Sequence, residues 1–282
     1  IFGASYQLVP VVLETDLYSK KLAWLSFALF LPGALTLVIS FWQFDPGLPM
    51  QCAGILISAA VLLFTANIFL TARKKKRATI QEDFISSACL CLCFTVLLGT
   101  ALVYDFRYAY LPQGPMHFLK LHAHLGIVGW FLLLTIGVSS KLVPMFLVSS
   151  YQNTRLLNWS YYLIVGALLL FIIDSYFFGI NYKTYVWNGM GIAGIACYLF
   201  FIRKCFISRL RKRMDVPMAQ TFLSFVFLMS AVLTAPFIIY YHLKNDPAAL
   251  HLTVFYGCLI FMGWITSLIL GQAFKALPFI VW

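Results

Sequence analysis

What most constrains this chain is a series of eight apolar runs, at roughly residues 22–43, 48–72, 84–104, 116–146, 159–180, 185–202, 217–241 and 250–273, joined by short polar connectors. A bilayer core is about 30 Å thick, and about 20 mostly apolar residues cross it as a helix. Inside hydrocarbon every backbone N–H and C=O must find a partner within the protein, so only helices and closed barrels span it. The sequence therefore predicts an all-α, polytopic membrane protein with about eight transmembrane helices, forming a single integral-membrane domain over residues 1–282. Its composition agrees: 62% hydrophobic and only 10% charged excludes an ordinary soluble domain.

The net charge of +11 could suggest a nucleic-acid partner, but the placement of the charges argues against one. When successive connectors alternate sides, Lys20, Lys21, Arg73, Lys74, Lys75, Lys76, Arg77, Lys141, Arg155, Arg203, Lys204, Arg209, Arg211, Lys212, Arg213 and Lys275 fall on one face. Arg107, Lys120, Lys183 and Lys244 fall on the other, a split of 16 to 4. Basic loops stay on the cytoplasmic side, so the pattern predicts a bacterial-type inner membrane protein with its basic face inward and a lipid bilayer, not nucleic acid, as its partner. The runs at 73–77 and 203–213 could also touch lipid headgroups, although orientation alone accounts for both.

A second feature is an internal repeat. Gly129-Trp130, Gly137, Lys141 and Pro144 recur as Gly263-Trp264, Gly271, Lys275 and Pro278, all at one constant offset in the numbering (263 − 129 = 134), and His117 maps onto His251. Gly3, Leu8, Val9 and Pro10 precede Gly137, Leu142, Val143 and Pro144 by the same offset (137 − 3 = 134). Three copies so spaced, ending near 1–12, 116–146 and 250–280, imply a unit of four helices. The motif Pro32-Gly33-Ala34-Leu35, echoed by Val165-Gly166-Ala167-Leu168, extends the repeat into the following helix. Residues 1–10 read as the cytoplasmic end of a repeat helix with no start methionine and no signal peptide. The sequence is thus expected to be a portion of a longer protein, with at least one helix ahead of residue 1.

The clearest copy carries the chemistry. The fourth run opens with His117, His122 and His124, three of the five histidines in the chain. Polar groups inside a bilayer span are costly and face a protein interior, a cofactor or a water-filled cavity. Two residues along a helix is about 200° of rotation, so His122 and His124 point to nearly opposite sides and cannot share one metal. They can grip two cofactors flanking the helix. His117 and His124, two turns apart, share a face. Gly126 and Gly129 on the next turns would let a flat macrocycle approach the backbone, or would serve a close helix contact. In the eighth run Tyr256 and Cys258 replace the paired histidines, and His251 reads equally as a ligand or as an interfacial group.

Other polar residues are less informative. Cys89, Cys91 and Cys93 lie in an apolar run without metal-ligand spacing and read as packing groups. Trp24, Trp42, Trp159 and Trp187 sit near run ends, as an interfacial belt would place them. Asp174, a carboxylate well inside a run, reads either as a proton-relay or cofactor-side acid or as a group reaching headgroup water.

The pattern His122-x-His124, Gly126, Gly129-Trp130, Ile136-Gly137 and Leu142-x-Pro144 resembles the helix that carries both haem ligands in catalytic subunits of the haem-copper oxidase superfamily, closest to the C-type oxidases and nitric oxide reductases. The resemblance implies twelve helices in three arcs of four with pseudo-threefold symmetry. His122 would ligate a high-spin haem at a dioxygen- or nitric oxide-reducing site, and His124 a low-spin haem b or a. That family also holds a copper or iron on three histidines, two of them adjacent. This sequence has no His-His pair, which leaves open whether the chain is an enzyme.

Three readings follow. One is a haem-binding subunit in respiratory electron transfer or O2/NO chemistry, served by a cytochrome or quinol donor and other membrane subunits. Another is a non-catalytic structural or assembly subunit of a respiratory complex. The last is an outer-face copper site formed by Met116, His117, His122 and His124.

Overall fold

A computed structural model describes residues 2–74, 78–210 and 213–281, with side chains up to Lys275 in the last stretch. Lys75, Lys76, Arg77, Arg211 and Lys212 of the basic connectors lie outside the described residues. The described chain is all-helical, apart from one isolated bridge between Ser149 and Arg209. Its helices are α1 (Phe2–Leu13), α2 (Lys20–Gln43), α3 (Leu48–Ala72), α4 (Ile80–Tyr108), α5 (Pro115–His124), α6 (Leu133–Leu147), α7 (Arg155–Phe178), α8 (Thr184–Ile207), α9 (Val216–Leu243), α10 (Ala248–Cys258) and α11 (Ser267–Val281). Two π-helical segments, π1 (Leu125–Leu132) and π2 (Leu259–Thr266), join α5 to α6 and α10 to α11 without a break. Eight helices among the described residues are long and apolar enough to cross a bilayer, and the protein is an integral membrane protein. The third span is longer than its apolar run suggests, because Glu82 and Asp83 in its first turn favour the helix N-terminus.

Backbone contacts divide the chain into two compact units, Ile1–Leu142 and Val143–Trp282, with the boundary inside α6. In the first unit α3 is the central element, packed between α2 and α4, and α5 and π1 lie on α4. Helix α2 shows the packing logic. Its buried residues are Ser26, Gly33 and Ser40, seven apart on one stripe, while Trp24, Val38 and Trp42 are 72%, 68% and 87% exposed. A soluble helix would bury the large residues. Lipid tails are as apolar as leucine, so a membrane helix gains most where small residues let backbones approach. A Cβ on Gly33 would stand 3.0 Å from Cβ of Leu56 and 3.3 Å from the Ala53 carbonyl. Trp130 of π1 meets Phe64 of α3 edge-on at 5.7 Å, and Phe64 stacks on Phe2 of α1 at 4.4 Å, forming the aromatic centre of this unit.

In the second unit α7 pairs with α8, α8 with α9, and α9 with α10, π2 and α11. Gly194 of α8 is the close-approach point on α7, where a Cβ would meet Ile164 Cγ1 at 2.6 Å. The connectors after α6 and α8 are tied by Leu210 N–H donating to the Val148 carbonyl at 3.2 Å and Ser150 N–H to that of Ser208 at 3.4 Å.

The helix ends contain a departure from the usual chemistry. Glu14, Phe44, Ala109, Val148 and Asn245 all hold positive φ just past a helix end, where glycine is the common choice. After α1, Thr15 N–H reaches the Pro10 carbonyl at 3.0 Å and Glu14 N–H that of Val11 at 3.3 Å. After α6, Ser149 N–H reaches Pro144 at 2.9 Å and Val148 N–H reaches Met145 at 3.2 Å. These two caps are the same reciprocal pair of bonds, and their numbering differs by the offset seen in the sequence (148 − 14 = 134).

Candidate functional site

His122 sits on α5 and is half-buried. Its Nδ1 lies 2.9 Å from the carbonyl oxygen of Thr95 on α4. A carbonyl only accepts, so Nδ1 is the protonated nitrogen and the lone pair of the neutral ring is on Nε2. The Thr95 oxygen has a second lone pair for this bond beside its place in the α4 ladder. The approach depends on Gly99, one turn further along α4. A Cβ at that position would stand 2.8 Å from His122 Cε1 and 3.2 Å from Nδ1, well inside van der Waals contact. His124 is also half-buried, and its Nδ1 is held 2.7 Å from the Lys120 carbonyl of its own helix. That bond assigns the same tautomer, with the lone pair on Nε2. One ring is therefore anchored to a neighbouring helix and the other to the turn that precedes it. Segment π1 begins directly after His124, and π-helical stretches are frequent at functional sites.

The remaining expected residues fall differently. A Cβ on Gly126 would meet the Thr95 methyl at 3.3 Å, which places this glycine at the contact with α4. Gly129 is buried beside Trp130. His117 is half-buried, with its ring edge-on to Phe118 at 5.2 Å. Met116 is exposed, and so is His251 on α10. Among the described residues no group of three or more His, Cys, Asp or Glu side chains stands close enough to hold a metal ion. The Met116, His117, His122 and His124 set expected for copper is thus not gathered around one point.

Asp174, left between two readings by the sequence, has protein partners. It is buried and accepts from Asn181 Nδ2 at 3.0 Å and Trp187 Nε1 at 3.2 Å. This carboxylate ties α7 to the start of α8. Trp187, read from sequence as a belt residue, belongs to that tie. All seven cysteines are free thiols, and Cys93 donates to Thr65 Oγ1 at 3.2 Å across the α3–α4 contact. The connector between α4 and α5 is pinned by Asp105 Oδ1, which accepts from Leu111 N–H at 2.8 Å. Burial first, and then the nearby Asp105 carboxylate, push the Tyr110 phenol above its ordinary pKa.

Gly99 and Thr95, the residues of α4 that meet the His122 ring, are the contacts that sequence reasoning missed. A lone glycine in the middle of the apolar run Leu97-Leu98-Gly99-Thr100 was the available signal. No protein-family model matches the chain, and no solved structure matches it.

Proposed function

We propose that this chain is a haem-binding integral-membrane protein of respiratory electron transfer or diatomic gas chemistry, with His122 and His124 as the iron ligands. One observation carries the reading: both imidazoles donate Nδ1–H to main-chain carbonyls, at 2.9 Å to Thr95 and 2.7 Å to Lys120. A histidine that ligates a metal almost always gives its other ring N–H to such a partner, which fixes tautomer and orientation and raises basicity. A bound haem b would supply one-electron redox chemistry and iron able to bind a small gas. The two neutral imidazoles fit that group as donors, and what they do is hold Nε2 lone pairs in set directions near one end of a membrane-spanning helix. Gly126 is given to the α4 contact in this reading. A second metal is not part of it, because the donors it needs are not gathered among the described residues.

The same reading takes the constant offset in the sequence as an internal repeat, the basic connectors as cytoplasmic, and a bacterial inner membrane as the location. Support for the repeat comes from π1 and π2, which differ by that offset at both ends (259 − 125 = 134 and 266 − 132 = 134). A membrane-bound cytochrome or quinol and further subunits are the proposed electron partners.

A structural or assembly subunit is the second reading, favoured by the His122–Thr95 bond, which also fastens α5 to α4 without any cofactor. A reduced-minus-oxidised optical spectrum of the purified protein separates the two. A haem b band that disappears in H122A and H124A is expected, and a wild-type protein with no haem band overturns the haem reading in favour of the structural one.

A further inference from the structure

We propose that Gly99 of α4 is the positioning residue for the His122 imidazole, a notch whose missing side chain sets the ring's direction and its Nδ1–H tautomer. This deepens the haem reading, and its relevance to haem rests on that reading. The ring atoms His122 Cε1, Nδ1 and Nε2 lie 2.8, 3.2 and 3.8 Å from where a Cβ of residue 99 would be. No rotamer adjustment within α4 relieves this, since the added atom is fixed to the backbone of a regular helix. The ring would have to swing, and the 2.9 Å bond to the Thr95 carbonyl would lengthen or break. Thr95 also meets the segment that follows, since a Cβ at Gly126 of π1 would stand 3.3 Å from its methyl.

The second unit offers an internal control. Helix α9 packs against α10 and π2 as α4 packs against α5 and π1, yet α9 contains no glycine along its whole length. The helix it faces carries Tyr256 and Cys258 where the first has His122 and His124. The notch occurs with the histidine and is missing without it. Gly99 also costs helix stability, because glycine inside a helix is less favourable than alanine. A glycine kept only for helix formation would be a poor choice at this position.

The test uses the full chain in detergent, labelled with 15N-histidine, comparing wild type with G99A and with the control G189A, whose added Cβ meets nothing within 4 Å. The His122 signal is identified by its loss in H122A. Long-range 1H–15N correlation reads the tautomer whether or not haem is bound. Nδ1–H is expected in wild type and G189A, and a mixed or inverted tautomer in G99A. An unchanged His122 tautomer in G99A overturns the inference. When wild type binds haem, G99A is expected to lose about 10–100-fold in haem affinity, the usual effect of removing a ligand's orienting partner. Equal affinity and an identical band position in G99A and wild type overturn it as well. A wild type without haem overturns the functional reading alone, and the tautomer still decides the role of Gly99. If G99A is poorly folded, the thermal midpoint is read on the H122A background. There the added methyl has no ring to strike, so G99A/H122A is expected to melt at or above H122A. A further drop in the double variant equal to that of G99A alone would refute the pairing of the two residues.

Discussion

The helices Pro115–Leu147 and Ala248–Lys275 share a frame and differ in one place. Each runs α, then π over eight residues, then α, and each buries a tryptophan at the same point of its π segment, Trp130 and Trp264. Each presses a glycine onto the helix before it: Gly137 would meet Phe84 Cβ at 3.0 Å and Gly271 the Pro217 carbonyl at 2.9 Å. Each carries a lysine near its far end in an ion pair, Lys141 with Glu14 at 2.7 Å and Lys275 with the N-cap Asp215 of α9. The difference is His122 and His124 against Tyr256 and Cys258, together with Gly99 on only one of the two supporting helices. The π segment, the buried indole and the glycine contact persist where the imidazoles do not. The frame does not need the histidines, whose partial burial is offset by their bonds to the Thr95 and Lys120 carbonyls.

Four experiments break or sharpen that comparison. The largest contrast is in cofactor: H122A/H124A is expected to abolish the reduced haem band, and Y256A/C258A to leave it intact in the same spectrum. Next, W130A and W264A should each lose about 3–5 kcal/mol of stability, as large-to-small core changes do. Chemical denaturation in detergent reads this, and tolerance of one but not the other would end the equivalence. A smaller effect, about 1–3 kcal/mol of overpacking, is expected from G137V and G271V in the same assay. The smallest comes from the lysines. Lys141 and Glu14 are 44% and 67% exposed, so K141A should cost no more than about 1 kcal/mol. Lys275 and Asp215 are only 12% and 28% exposed, and K275A should lower the thermal midpoint further than K141A does. An equal response would place both pairs in the same solvent.

The eight spans were legible in the sequence because length and apolarity decide whether a helix crosses a bilayer. The π segments were not. Leu125–Leu132 and Leu259–Thr266 are apolar throughout, and hydrophobic periodicity carries no mark of a ladder that has slipped by one residue. Helix ends were similarly hidden: Glu14, Phe44 and Val148 adopt the left-handed cap without glycine, since the tight bonds to the preceding turn outweigh a cost of about 1–2 kcal/mol. The histidine pair could be read as a candidate from its rarity alone. Its cradle could not, because Gly99 and Thr95 matter only through the register of α4 against α5. Asp174 resisted for a like reason, as its partners Asn181 and Trp187 lie beyond the next turn of chain.

The inverted surface of α2, with Ser26, Gly33 and Ser40 inward and its indoles outward, has a practical consequence for anyone damaging it. A leucine at position 33 would leave a rod that still crosses the bilayer and keeps every internal N–H satisfied. Such a lesion would be silent in circular dichroism and visible only as lost cross-linking between α2 and α3. For this helix, failure means losing its neighbour while keeping its shape.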